Sequence, residues 1–444
     1  MTEPSRRALA ERQARNYRLV QLDSIPVGIL SIAGTFLPVF LVRLGGNGTE
    51  VGLLTSLPAL SAVLLAIPAG RWLQGRRNIV PWYSRLRITA WSGYAVIALA
   101  VVLLPRDAAV LAVLVVWAAA SLPAMAGQVA FPIVMDGAAG PHGRFDLLGR
   151  RWATAGVATT AATAIAGQAL GLFAFPTNFE ALLVMCSLAG VASFYLSRQI
   201  SIPDHVPVVP PAAVDGSTGP GRRARLGAFR DLVFGNRSFV DFEVRSFVVT
   251  AGVGLTMPLL PLLYVNEVHA PDGWIGIIGA AQSVGSVVGY VVARRISRQR
   301  SGVAILLPSL GFAALVPAVM ASLTQLPIVA TMAMVGGIAT AGVQLSLFNE
   351  LMRRVPRSHG VTFSSVDQSL QNLGLIVAPS VGGVLAVTIG VRYGLVVAAV
   401  VALVGFAMFA LDWRSERKAR EAAASNVPVP PTTPPATPPA APTT

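Results

Sequence analysis

Apolar positions in this chain fall in blocks of roughly 18 to 25 residues separated by polar connectors, the length that crosses a bilayer as a helix rising ~1.5 Å per residue. Twelve spans are predicted, at about 22–43, 51–70, 87–104, 109–135, 152–173, 181–197, 240–264, 274–293, 302–322, 327–351, 362–386 and 392–411. Span 4 contains Pro123 and Pro132, which a lipid-buried helix tolerates when its neighbours satisfy the freed carbonyls. Arginines crowd the first 18 residues, but the apolar block behind them lacks a small-residue cleavage pattern. It therefore reads as an uncleaved first span.

Composition agrees with the blocks. Hydrophobic residues make up 54% of the chain and charged residues 12%, where a soluble domain carries about 25% charge. Mean hydropathy is +0.65. The expected class is an all-α integral membrane protein whose first partner is the lipid bilayer.

The formal charge of +14 would ordinarily raise nucleic-acid binding. Its distribution argues otherwise. Basic residues gather in the N-terminal segment, in the connectors after spans 2, 4, 6, 8 and 10, and after span 12. The alternate connectors hold only Arg43, Arg106 and Arg392, while Arg245 lies at the start of span 7. This alternation is the positive-inside pattern of an even number of spans. It predicts a multi-pass protein of the plasma (inner) membrane with both termini cytoplasmic, and no nucleic-acid partner.

The spans divide six and six. The expected organisation is a cytoplasmic N-terminal segment (1–20), a six-helix half (21–198), a cytoplasmic linker (199–237), a second six-helix half (238–412) and a Pro-rich disordered tail (413–444). An internal repeat supports duplication. "LPVFLVRLGGNGTEVGLL" leads into span 2 and "PAGRWLQGRR", and "LPLLYVNEVHAPDGWIGII" leads into span 8 and "ARRISRQR". Aligning Gly52 with Gly276 sets Arg71 opposite Arg295 and Arg76 opposite Arg300. A weaker echo, "GRFDLLGRRW" with "GVTFSSVDQS", sets Arg150 opposite Asp367.

With these features the chain resembles the major facilitator superfamily over spans 1 to 12. The resemblance implies two six-helix halves that rock about a midplane cavity, moving a small solute by alternating access. It also implies that spans 1, 4, 7 and 10 surround the cavity, and that spans 5 and 8 face each other. The sequence departs from the family's loop after span 2, whose acidic position is Trp72 here and whose following arginine is Leu73. Span 4 has no arginine, and "GVATTAATAIAGQALG" in span 5 lacks the proline usual in drug antiporters of the family. Both an exporter of amphipathic compounds and an importer of small polar solutes stay open.

Polar residues inside spans are costly and point to function or to helix–helix hydrogen bonds. The richest stretch is "FSSVDQSLQNLG" in span 11, where Ser364, Asp367, Gln368 and Gln371 share one face with Asn372 beside it. Together with Gln128, Gln168, Gln282, Gln344 and Asn349, these residues Gln368, Gln371 and Asn372 are the expected substrate contacts. Asp23 and Asp367 are the candidates for proton coupling. A cytoplasmic gate is expected from Arg71, Arg76, Arg77, Asp136, Arg150, Asp241, Arg245 and Arg295, with loop arginines attracted to carboxylates and helix ends of the other half. Asp241 and Arg245, four apart, are placed to offset each other.

Smaller features complete the expectations. Gly167, Gly171, Gly285 and Gly289 form small-residue pairs that would let spans 5 and 8 slide. Trp91, Tyr94 and Tyr264 read as interfacial anchors. Asn47 and Asn236 open glycosylation-type tripeptides. The histidines are isolated, Cys186 stands alone, and there is no metal-ligand spacing or phosphate-binding loop. The chain is accordingly read as a monomeric transporter without cofactor, with an integral-membrane enzyme as the rival class.

Overall fold

The structure, a computed structural model of the chain, describes residues 3–202, 234–297, 303–354 and 360–425. Most of the expected linker at 199–237 lies outside the described residues, as do Arg298, Arg300, Arg357 and the Pro-rich segment from 426 on. Among the described residues all regular structure is helical.

Span 1 is two helices, α1 (Glu3–Leu30) and α2 (Ala33–Arg43), separated by a turn at Ser31 and Ile32. Then come α3 (Gly48–Gln74), α4 (Val80–Leu103), α5 (Arg106–Leu170) and α6 (Thr177–Ser197). The second set comprises α7 (Arg237–Leu262), α8 (Asp272–Ser297), α9 (Val303–Met320), α10 (Leu326–Arg354), α11 (Gly360–Thr388) and α12 (Val391–Ser425). α7 runs into a π-helical turn, Leu263–Glu267, just after Pro258 and Pro261 have removed two backbone donors. α12 extends helically to Ser425, into the segment expected to be disordered.

Both glycosylation-type asparagines are helix caps. Asn47 Oδ1 accepts from Glu50 N at 3.0 Å while Asn47 N donates to Glu50 Oε2 at 2.7 Å, a reciprocal capping box. Asn236 Oδ1 accepts from Phe239 N at 3.2 Å.

α5 holds two spans. A straight helix of its 65 residues would be about 97 Å long, three times the ~30 Å hydrocarbon thickness. Val113 and Leu170 nevertheless share one buried cluster, and Met135 and Leu147 share another. The chain therefore reverses between Met135 and Leu147, and the connector expected at 136–151 stays helical in its local bonding.

Helices α1–α6 pack into one bundle and α7–α12 into a second. Two pairs form the main junctions between them, α3 with α11 and α5 with α8, and α2 and α3 also touch α7. Exchanging span 2 with span 8 and span 5 with span 11 converts one junction into the other, so the bundles are related by a pseudo-twofold.

Two faces of the molecule differ. On the far face, which carries Arg43, Arg106 and Arg392, a single apolar cluster runs through both bundles, from Phe36, Phe40 and Phe179 to Leu259, Ile275 and Ile278. Phe40 stacks on Phe179 at 5.1 Å. On the opposite, basic face the apolar cores are separate. Leu73, Ile79, Met135 and Leu147 belong to the first bundle, and Phe239, Phe242, Phe363 and Phe409 to the second. Two residues expected to anchor at the membrane surface are buried instead: Tyr94 packs against Trp117, and Tyr264 ends in the far-face core. Their rings belong to helix–helix contacts, where apolar area is removed from lipid and water alike.

Candidate functional site

Hydrogen bonds and ion pairs that join the bundles between described residues cluster toward the far face. Arg43 Nη2 lies 2.7 Å from Asp272 Oδ1 and donates to the Ala270 carbonyl at 3.1 Å. Asn178 Nδ2 donates to the Leu170 carbonyl at 2.8 Å and to Asp272 Oδ2 at 3.3 Å. Gln168 Nε2 donates to the Gly273 carbonyl at 3.2 Å. On the other junction Ser56 Oγ lies 3.0 Å from Ser380 Oγ and 2.9 Å from the Ile376 carbonyl.

Glycines make this closure possible. A methyl group at Gly167 would fall 2.5 Å from Gly276 Cα, one at Gly48 2.6 Å from the Gly383 carbonyl oxygen, and one at Gly52 2.6 Å from the Pro379 carbonyl oxygen. Backbones approach here as no larger residue would allow. Of the four glycines expected to line the contact of spans 5 and 8, Gly167 does so. Gly285 and Gly289 press instead on α10 in their own bundle, and Gly171 meets no residue of α8.

Two cavities lie beneath the closure along α7 and α10. The one nearer the far face has a volume of about 380 Å³ and is lined by Thr35, Thr55, Thr256, Tyr264, Gln282 and Thr340 among apolar groups from both bundles. The one nearer the basic face, about 310 Å³, presents Thr250, Thr340, Gln344, Asp367 and Gln371 among Val, Leu, Met and Phe side chains. Val253, Met257 and Thr340 line both, so the cavities adjoin. Volumes of this size hold a small molecule, and a mostly apolar wall with a few fixed polar groups is the usual build of such a site.

The polar groups are organised. Thr250 Oγ1 donates to Gln371 Oε1 at 2.6 Å, and Gln371 Nε2 donates to Ser246 Oγ at 3.0 Å and more weakly to Asp367 Oδ1 at 3.5 Å, tying α7 to α11. Tyr290 OH donates to Gln344 Oε1 at 2.6 Å, tying α8 to α10.

Asp23 sits in a different environment. It is buried between Arg87 Nη2 and Arg151 Nη1, each 3.1 Å from its Oδ2, and it accepts from Ser193 Oγ. Arg87 also covers Trp91 at 4.3 Å and donates to Ser193 Oγ at 2.8 Å, and Arg151 covers Phe131 at 5.1 Å. This network binds α1, α4, α5 and α6 into one unit and leaves the carboxylate fully matched by charge.

A family model described as the Major Facilitator Superfamily matches residues 245–440. That match covers the second half of the chain, and the fold is shared along nearly its whole length with solved transporters. Several solved structures share its fold. A bacterial homologue of the iron transporter ferroportin in an inward-facing state superimposes with TM-score 0.70 at 14% identity, over 90% of this chain and 98% of that one. The nucleoside transporter NupG gives TM-score 0.66 at 13% identity, over 89% and 99%. A bacterial homologue of the human lysosomal transporter Spinster, inward-facing and unoccupied, gives 0.62 at 14% identity, over 94% and 99%. No curated protein matches the sequence.

In this chain the expected substrate contacts divide. Gln282, Gln344 and Gln371 line the cavities, Gln168 serves the far-face closure, and Gln128 lines neither cavity. Asn349 and Asn372 are half-buried and Gln368 is exposed, with none of the three on a cavity wall. Threonines of α2, α3, α7 and α10 supply cavity groups that a search for amides and charges overlooks, because a single Thr in an apolar run carries little signal.

The expected gate residues do not meet across the bundles. Arg76 is held in its own bundle over Trp72 at 5.1 Å and Trp82 at 4.8 Å, the rings themselves 4.7 Å apart. Trp72 thus binds the loop arginine through its ring where the family pattern has an acid. Arg71, Arg77 and Arg295 are exposed without an ion pair among the described residues, and Asp136 and Asp241 are exposed. Arg150 pairs with Asp146 at 3.1 Å. Arg245 pairs with Asp412 of α12 and not with Asp241, and Arg354 reaches the same carboxylate at 3.2 Å. Among the described residues the inter-bundle ion pair is the far-face one, Arg43 with Asp272. Its sequence signal was the rarity of basic residues in far-face connectors.

Proposed function

We propose that this chain carries a small neutral or weakly polar solute by alternating access, and that it stands in the state open toward the basic face. The observation that carries the reading is the asymmetry of the junction: one apolar core and every described inter-bundle polar bond lie toward the far face, whereas the basic-face cores are separate. Neighbours solved as inward-facing share the fold, which supports taking the basic face as the cytoplasmic one. The basic connectors support the same orientation, with both chain ends cytoplasmic in the inner membrane. The moving bodies are residues 21–198 and 238–412 of a monomer.

Hydroxyls and amides dominate the polar lining, which favours a substrate recognised through hydrogen bonds. Asp23 is neutralised by two arginines, so Asp367, on the wall of the lower cavity, is the better coupling group. The gate arginines Arg71, Arg76, Arg77 and Arg295 would act in the opposite state, when the basic face closes.

Counterflow in proteoliposomes with a panel of neutral solutes, nucleosides included, tests the reading. Exchange of a neutral solute without any gradient is the expected result, and strict selectivity for a strongly charged solute would sink it. Repeating uptake with an imposed proton gradient separates coupled from facilitated transport.

A further inference from the structure

Hydrogen bonding divides the polar groups of the two cavities. In the lower one Thr250 donates to Gln371 and Tyr290 donates to Gln344, so both amides are engaged by protein. In the cavity nearer the far face Thr55, Thr256 and Thr340 each donate to a carbonyl of their own helix, at 2.8, 2.7 and 2.8 Å. Thr35, Tyr264 and Gln282 line the same cavity, and their side chains make no hydrogen bond among the described residues. Tyr264 is only 8% exposed, so its unpartnered hydroxyl stands within an otherwise apolar core. Buried polar groups are as a rule matched by a partner.

The local fold explains why these three are spare. A threonine in a helix donates to the carbonyl three or four residues back. For Thr35 those residues are Ser31 and Ile32, which form the turn that breaks span 1 and whose carbonyls accept from the backbone of Gly34, Thr35 and Phe36. Tyr264 falls in the π-helical turn that ends α7, an irregularity of the kind that recurs at functional sites. Gly279 brings α2 against α8: a methyl group there would fall 2.8 Å from Thr35 Cγ2 and 3.4 Å from Thr35 Oγ1. Gln282 follows three residues along α8, a rise of about 4.5 Å.

The wall around them is apolar, with Met257 and Met320 among its residues, and no residue lining this cavity is charged. A charged solute would lose its hydration there without a counter-charge. A glutamine side chain sets an N–H donor beside a carbonyl acceptor, which pair with a solute carrying an acceptor and a donor on adjacent atoms. Thioether groups suit an aromatic body. We infer that Gln282 reads the amide-type edge of a flat, uncharged solute, a carboxamide, lactam or amino-heterocycle, while Thr35 and Tyr264 bind its remaining polar atoms. Thr35 belongs to the first bundle and the other two to the second, so the solute itself bridges the bundles beneath the far-face closure. The inference rests on the transport reading above and names the solute class for that cavity.

Fluorine NMR of the full chain in lipid nanodiscs, with empty nanodiscs as the blank, compares para-fluorobenzamide with para-fluoro-N,N-dimethylbenzamide, which keeps the ring and carbonyl but has no N–H. The expected result is saturable binding of the first, at least about tenfold tighter than the second. Gln282→Leu should bring that ratio close to one without weakening the dimethyl amide, whereas loss of a merely structural side chain would weaken both alike. Tyr264→Phe and Thr35→Val should each weaken para-fluorobenzamide about threefold to tenfold. Equal binding of the two probes, no saturable binding of para-fluorobenzamide, or a ratio kept in Gln282→Leu overturns the assignment. Should Gln282→Leu fail to fold, the ratio in the native chain and its fall in the conservative Tyr264→Phe decide. Intact counterflow of neutral solutes without the preference removes the amide reading and leaves the transporter standing, and the preference without any counterflow does the reverse.

Discussion

Arg43 Nη2 and Asp272 Oδ1 stand 2.7 Å apart at the far face, joining the end of α2 to the start of α8 and so one bundle to the other. The pair is partly exposed, and such pairs contribute about 1 kcal/mol or less. That is enough to shift a two-state equilibrium several-fold. Arg43→Gln should therefore raise the population of the far-face-open state about threefold to fivefold, with little loss of stability. Spin-label distances across the far face measure it, and an unchanged distance distribution would remove the pair from the gate.

Gly167 and Gly276 meet backbone to backbone, so any side chain at Gly167 must push α5 from α8. Gly167→Val is expected to keep the fold while slowing exchange at least about tenfold, because the closed far face no longer packs. Full exchange rates in the variant would show that the contact is passive.

Asp23 balances two buried arginines. Removing one partner of a buried ionic network costs about 3–5 kcal/mol because the remaining charge is left unmatched. Asp23→Asn should lower the melting temperature substantially and reduce facilitated and gradient-driven transport alike. A folded variant that lost only the gradient-driven component would return Asp23 to the coupling role.

Gln371 accepts from Thr250 and donates to Ser246 beside the lower cavity. Gln371→Leu removes a polar cavity group and leaves buried hydroxyls unpaired, at about 1–3 kcal/mol. The expected reading is a fall of about tenfold or more in solute affinity, measured as the half-saturating concentration in counterflow. A change confined to thermal stability would mark Gln371 as packing only.

Much of this fold could be read from the chain. The spacing of apolar blocks and the alternation of arginines depend only on bilayer thickness and on charge at its surface, which act on each segment separately. They predicted twelve spans and the six-and-six division before any contact was known. Part of the polar face of α11 was legible for the same reason: Asp367 and Gln371 line a cavity, whereas Gln368 is exposed.

What the chain could not reveal was pairing. Arg87 and Arg151 read as connector charges until folding buried them on Asp23, and Trp72 read as a missing acid until Trp82 arrived beside it to hold Arg76. The sequence by itself determined which segments are long and apolar enough to cross the membrane, because that is a property of single segments in a slab. The tertiary structure decided which charges are matched, which face is closed and where the cavities lie, because each depends on the relative placement of helices far apart in the chain.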